Sequence, residues 1–166
     1  MNRSLLRTSS SFRFVTLLFA AACLLAAGSA NAQRKPATPQ MVADDAPAFQ
    51  EYRGVQLGMT AADVRKKLGD PKDKSAEQDF FIFNDTETAQ FVYDKATQKV
   101  IAISADFMSP NTTAPSAKDV FGAEVEAKPD GSCHKLVRFP KAGYWLSYNR
   151  TGGADPVITI TLQKLP

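Results

Sequence analysis

A cysteine and a histidine stand side by side at Cys133-His134, and their types suggest nucleophilic catalysis. A thiol nucleophile needs a base within hydrogen-bond reach. Neighbouring side chains of a strand, however, point to opposite faces of a sheet, and His134 is the only histidine in the sequence. We therefore interpret the pair as the opening of a strand, and we predict a protein without catalytic residues.

The acidic residues do not form a metal-binding pattern. Cys133 and His134 alone give no zinc-type spacing. A second group, Asp70, Asp73, Glu77 and Asp79, lacks the order of a calcium loop. We interpret that group as a solvated, charged loop. No glycine-rich phosphate loop is present either, and we expect neither a metal ion nor a cofactor.

A set of side chains near the end of the chain is typical of a protein-binding surface. If Leu146 faces the helices, alternation along the strand turns Trp145 toward the other side of the sheet. That side then combines an aromatic anchor, an arginine and small polar residues. The predicted binding residues are Trp145, Ser147, Arg138, Thr159 and Thr161. The alternative is that Trp145 closes the edge of the core, because the sequence does not fix which set of side chains faces inward.

Residues 1–32 have the pattern of a secretory signal peptide. Arg3, Arg7 and Arg13 precede an apolar run over residues 14–27, and a small-x-small cleavage site ends at Ala32. The run is shorter than the roughly 20 apolar residues that a membrane span needs. We predict cleavage after Ala32 and export to the periplasm or the exterior.

Cys23 lies inside this apolar run and offers an alternative fate, as a lipidation site. The three alanines before it lack the usual leucine of a lipobox, and two leucines follow it. Contact with a membrane is expected only if Cys23 is lipidated. Cleavage after Ala32 would leave Cys133 without an internal partner, so Cys133 is a candidate for an intermolecular disulfide.

The charge balance does not indicate a nucleic-acid partner. The sequence has 20 Lys and Arg residues against 17 Asp and Glu residues. The predicted signal peptide carries three arginines and no acid, so the excess of positive charge disappears with it. A basic patch that would bind a polyanion is not expected.

The clearest local signal is a short helix between Thr60 and Gly69. Thr60 is a good N-cap, with Asp63 in a variant of the capping box. Gly69 and the following Pro71 end the helix. Arg65 and the two lysines after it lie near the negative end of the helix dipole, and we interpret them as solvated.

The order of a helix and three strands recurs further along the chain. The predicted strands are residues 80–83, 89–93, 100–107, 135–139, 144–148 and 157–162. Ser116 and Asp119 repeat the spacing of Thr60 and Asp63, and Ile158 follows Ile101 by 57 positions. We predict an α+β fold formed by tandem duplication, with an antiparallel sheet of about six strands and short helices on one face. The alternative is two unrelated meanders.

The predicted organisation therefore has four parts. Residues 1–32 are the signal peptide, and residues 33–53 a disordered, proline-rich tether. Within the tether, residues 48–52 are either one helical turn or an irregular lead-in that covers the edge of the core. Residues 54–107 form the first repeat, and residues 108–166 a linker with a second, divergent repeat.

The segment around the first helix resembles a known family. Gly54-Val55-Gln56-Leu57-Gly58-Met59-Thr60, with Asp63-Val64, Leu68-Gly69 and Pro71, resembles the signature of SmpA/OmlA (BamE-like) outer-membrane assembly lipoproteins. It is also similar to the fold of β-lactamase-inhibitor proteins, which carry two tandem copies. The resemblance covers residues 54–107 well and 115–163 loosely, and this chain lacks the clear lipobox of the lipoproteins.

The resemblance implies a non-enzymatic protein of the cell envelope that binds another envelope or secreted protein. It does not identify that partner. The expected function is thus a periplasmic or secreted protein-binding module. The alternatives are a structural lipoprotein of the outer-membrane-assembly type and a secreted enzyme inhibitor.

Overall fold

The computed structural model describes residues 41–42, 47–109 and 113–166, which all belong to the unit Thr38–Pro166. The described part is mostly β structure with two short helices. In chain order the elements are β1 (Met41–Val42), β2 (Glu51–Tyr52), β3 (Val55–Gln56), α1 (Ala61–Leu68), β4 (Asp73–Lys74), β5 (Gln78–Asn84), β6 (Glu87–Tyr93), β7 (Val100–Met108), α2 (Ala117–Phe121), β8 (Cys133–Phe139), β9 (Tyr144–Arg150) and β10 (Val157–Lys164).

One large sheet contains most of these strands, in the order β1-β8-β9-β10-β7-β6-β5-β4. Seven of its strands are antiparallel to their neighbours, and β1 runs parallel to β8 at the edge. β2 and β3 form a separate small hairpin. This architecture is compatible with the predicted α+β class, and the antiparallel sheet has seven strands where about six were predicted.

Both helices are capped as their sequences predict. The Thr60 hydroxyl accepts a hydrogen bond from the Asp63 backbone N–H at 3.2 Å. In α2 the exchange is reciprocal, because Ser116 Oγ accepts from the Asp119 N–H and the Asp119 carboxylate accepts from the Ser116 N–H. Gly122 ends α2 with a φ of 73°, a left-handed conformation that favours glycine.

A single core fills the space between the helices and one face of the large sheet. Val64 of α1 and Val120 of α2 are fully buried there, together with inward-facing residues of the sheet. Leu146 and Tyr148 belong to this core. Alternation along β9 therefore places Trp145 and Ser147 on the opposite face, the first of the two arrangements that the sequence left open.

The folded part of the chain begins upstream of residue 54. Of the two alternatives for residues 48–52 of the predicted tether, the structure favours a lead-in that covers the core, because Tyr52 is 6% exposed and packs edge-on against Phe83 and Phe107. This lead-in ends in the short strand β2. The turn between β2 and β3 has φ values of 50° at Arg53 and 76° at Gly54, as a two-residue type I′ hairpin requires. The remaining residues of the predicted tether, apart from Met41 and Val42, and the predicted signal peptide with Cys23 and Ala32 lie outside the described residues.

The interpretation of Arg65 and Asp79 as solvated residues is wrong. Asp79 lies in β5, and its side chain is fully buried. The Arg65 guanidinium donates to both carboxylate oxygens at 2.8 and 2.9 Å, and the Tyr93 hydroxyl donates to the same carboxylate at 2.7 Å. The sequence pattern did not predict this pair, because its two members are 14 residues apart and come together only when α1 packs against β5.

Candidate functional site

The sheet face that points away from the core, which we call the open face, carries all five predicted binding residues. Across the register, Trp145 stands opposite Arg138. Ser147 stands opposite Thr161, and Thr159 lies two residues from Thr161 on the same side of β10. The structure thus brings the five side chains together on three adjacent strands, β8, β9 and β10.

Polar side chains in the middle of the open face bond to one another across the strands. Ser104 and Thr161 lie 3.2 Å apart between β7 and β10, and Thr159 donates to the Asp106 carboxylate at 2.6 Å. Cross-strand pairs of this kind hold the register and the side-chain rotamers of a sheet. The middle of the open face is therefore preorganised without help from a ligand.

Apolar side chains flank this polar strip on both sides. Trp145 and Leu136 are partly exposed beside it, and Ile82 on β5 is 52% exposed. None of these three side chains belongs to the core or packs against it. The buried residues of both described helices, Val64 among them, belong instead to the core on the other side of the sheet. Within residues 47–109 and 113–166 the open face therefore has no covering helix.

Arg138 is the cationic residue of the predicted site, and one of its hydrogen-bond donors has no acceptor among the described residues. Its Nε atom is buried and has no hydrogen-bond partner among the described residues. A buried donor without an acceptor costs free energy, and a guanidinium suits a carboxylate acceptor in particular. Because this Nε has no accessible surface, an acidic group of a partner would meet the rest of the partly exposed Arg138 side chain, next to the apolar anchor Trp145.

The Cys133-His134 pair is split between the two faces of β8. Cys133 is 8% exposed and lies in the core, whereas His134 is exposed on the opposite face. The two side chains therefore do not meet, as strand alternation predicted. The burial of Cys133 also keeps its thiol from another molecule, which argues against the intermolecular disulfide as long as β8 stays folded.

The described residues hold no group of three or more His, Cys, Asp or Glu side chains that could bind a metal ion. In the same part of the chain, we find no helix of the length and apolar character that a membrane crossing would require.

A second ion pair, whose carboxylate is buried, joins the hairpin to the large sheet, and the sequence did not predict it. Glu87 is the first residue of β6, and its side chain is 7% exposed and pairs with the Arg53 guanidinium at 2.8 Å. The Tyr52 hydroxyl donates to the same carboxylate at 2.6 Å. Burial would raise the pKa of Glu87, but the bonds from Tyr52 and Arg53 outweigh it and hold that pKa below its ordinary value. Because the three groups satisfy one another, we assign them a structural role.

Comparison of this chain with protein-family models, with curated proteins and with solved structures gives no match.

Proposed function

We propose that this protein is a non-enzymatic, exported binding module that holds a protein partner on its open face. The observation that carries the proposal is the partial exposure of Trp145 and Leu136 on the adjacent strands β9 and β8, on a sheet face without a covering helix among the described residues. Ile82, which is 52% exposed, lies on the far side of the polar strip. Adjacent apolar side chains are costly to leave in water, and exposed apolar patches mark interaction surfaces.

The chemistry of the open face specifies what the partner presents. Trp145 offers a large apolar contact area, and tryptophan is among the residue types most enriched in binding hot spots. Arg138 stands directly opposite Trp145, and it is a partly exposed cation that forms no salt bridge within the described residues. The partner is therefore a protein that sets an apolar side chain against Trp145 and a neighbouring carboxylate against Arg138.

The test is capture from a native cell-envelope extract with the purified mature protein. We expect a bound species that is lost with Trp145→Ala and, separately, with Arg138→Gln. A central hot spot contributes about 2 kcal/mol or more, a loss of about thirtyfold in affinity. Hydrogen exchange of the complex should show protection in β8 and β9.

Lys66→Ala is the matched control, because Lys66 is exposed on α1 and α1 packs on the core side of the sheet. It should capture the same species as the unmodified protein. Urea unfolding verifies that all three variants are folded. Equal capture by the Trp145 and Lys66 variants would refute the proposal.

We also propose that the two halves of the fold are duplicated copies, in keeping with the resemblance to the inhibitor proteins. Ser104 and Thr161 are 57 positions apart, and they face each other at the β7–β10 junction. Around them, Ala105 pairs with Ile160, and Ile103 pairs with Leu162. An offset of 57 residues exchanges these two pairs, which is the relation expected for copies related by a two-fold axis.

Export and anchoring follow from the same proposal and separate its alternatives. A mature protein that starts at residue 33 is a soluble module or a secreted inhibitor, whereas a lipidated Cys23 makes it a structural lipoprotein. The intact mass of the protein purified from cells measures this directly. We expect the mass of the chain from residue 33, and an unprocessed amino terminus would contradict export by this route.

A further inference from the structure

A cavity of about 690 Å³ lies at the end of the large sheet where β7 begins and β10 ends. Val100 and Leu162, which are core residues, form part of its floor together with Leu57. The β6–β7 turn and the turn before β9 supply further walls. The volume is within the range of sites that hold small molecules, and the cavity is separate from the open face.

The hairpin explains why space remains at this end of the sheet. At the other end of β7, Tyr52 inserts its ring among aromatic side chains that include Phe107. Its hydroxyl donates to the Glu87 carboxylate. The hairpin side that faces the cavity contributes Gln56 and Leu57, whose side chains leave the volume unfilled.

A second tyrosine, Tyr144, stands in the wall of the cavity. Its hydroxyl is buried and has no hydrogen-bond partner among the described residues, and burial raises the pKa of Tyr144. A buried hydroxyl without an acceptor is unfavourable. The buried hydroxyl of Tyr52 donates to the Glu87 carboxylate. A carboxylate is therefore a suitable acceptor for the Tyr144 hydroxyl as well.

The charges around the cavity favour an anion. Lys99 and Lys164 are exposed residues of its lining, and neither forms a salt bridge within the described part of the chain. The lining contains one carboxylate, Asp94, which accepts from the backbone N–H and the hydroxyl of Thr97 at 2.8 Å each. Asp94 keeps its negative charge in that turn, so the two lysines leave the rim with an excess of one positive charge.

We propose that this cavity binds a medium-chain carboxylate. The alkyl chain lies against the partly exposed side chains of Leu57 and Ile101, above the buried Val100 and Leu162. The carboxylate lies near the ammonium groups of Lys99 and Lys164. It accepts from the Tyr144 hydroxyl once the partly exposed Tyr144 side chain turns that group, which is buried in the ligand-free protein, toward the cavity. An inorganic anion should bind more weakly because it lacks the alkyl chain, and a neutral alcohol should bind more weakly because it lacks the negative charge.

The experiment is titration calorimetry of the purified mature protein with octanoate and, for comparison, with 1-octanol. We expect octanoate to bind at least about tenfold more tightly than octanol. Tyr144→Phe should weaken octanoate binding about tenfold, the usual effect of losing a hydrogen bond to a charged group. The same substitution should leave the ligand-free protein at least as stable in urea, because it removes a buried hydroxyl that has no partner.

Two further variants locate the site. Lys99→Gln combined with Lys164→Gln should weaken octanoate binding, whereas Lys72→Gln, at an exposed lysine away from the cavity lining, should not. Trp145→Ala should also leave the affinity unchanged, since Trp145 lies on the open face. Unaltered octanoate binding by Tyr144→Phe, or equal affinities for octanoate and octanol, would overturn the proposal.

Discussion

Glu87 shows how a single buried carboxylate makes the stability of this protein depend on pH. Its pKa lies below the ordinary value of 4.5, because hydrogen bonds from Tyr52 and Arg53 outweigh the effect of burial. A carboxylate with a lowered pKa in the folded state stabilises the fold fully above its unfolded pKa. That contribution is lost as the pH falls through the folded pKa.

We therefore predict that Glu87→Gln destabilises the protein at pH 7 and that the difference from the unmodified protein shrinks as the pH falls below about 4.5. Urea unfolding of both proteins between pH 7 and pH 3 measures this difference. Asp155→Asn, at an exposed aspartate in the loop before β10, is the control. A Glu87→Gln difference that stays constant down to pH 3 would show that the charge of Glu87 is not what stabilises the hairpin.

The attachment of α1 to the sheet depends on the Arg65–Asp79 pair, whose two members differ in exposure. The Asp79 side chain is fully buried, whereas that of Arg65 is 26% exposed. Removing Arg65 leaves a buried carboxylate with the Tyr93 hydroxyl as its remaining side-chain donor among the described residues. Removing Asp79 leaves a guanidinium that can reach water, so the two losses are not equivalent.

We predict that Arg65→Ala costs about 3–5 kcal/mol of unfolding free energy, as expected when a buried charge loses its partner. Asp79→Asn should cost less. Lys66→Ala, at the next and exposed position of α1, should change the stability by less than about 0.5 kcal/mol. Urea unfolding at pH 7 compares the three variants, and similar effects of Arg65→Ala and Lys66→Ala would contradict a stabilising ion pair.

The elements that the sequence predicted are those whose signals are local. The caps at Thr60 and Ser116 need residues within one helical turn, and alternation marks β7 and β10 over a few positions. The short strands β1 to β4 were missed because two residues carry no period. The sequence did not predict the β2–β3 hairpin either, because its type I′ turn has Arg53 where asparagine is the usual residue.

The same difference between local and distant signals applies to the candidate sites. Alternation placed Trp145, Ser147, Arg138, Thr159 and Thr161 on one face as soon as the inward set was known, because each strand carries its own pattern. The cavity lining comes from four separate stretches of chain, near residues 50–58, 94–101, 142–144 and 162–164. Only the folded arrangement brings these stretches together, so no spacing in the sequence could reveal the cavity.

At the scale of the whole molecule, the stabilising charges are distributed unevenly along the sheet. The two ion pairs of the described residues that have a buried carboxylate, Arg65–Asp79 and Arg53–Glu87, anchor β5 and β6. At the other end, Lys135 of β8 lies 4.9 Å from the ring centre of Phe121 in α2, a weaker contact at a partly exposed site. The two ends of the sheet are therefore expected to differ in local stability.

We predict that hydrogen exchange is slower at the β5 end of the sheet than at the β8 end. Each of these strands has one full partner, β6 or β9, and a two-residue strand on its outer side, β4 or β1. The comparison is therefore matched, and amides bonded to the inner partner should differ by about tenfold or more, because local opening of β5 must break a buried ion pair. Arg65→Ala should remove most of the difference. Equal protection of β5 and β8 in the unmodified protein would mean that the core, and not the ion pairs, sets the opening of both edges.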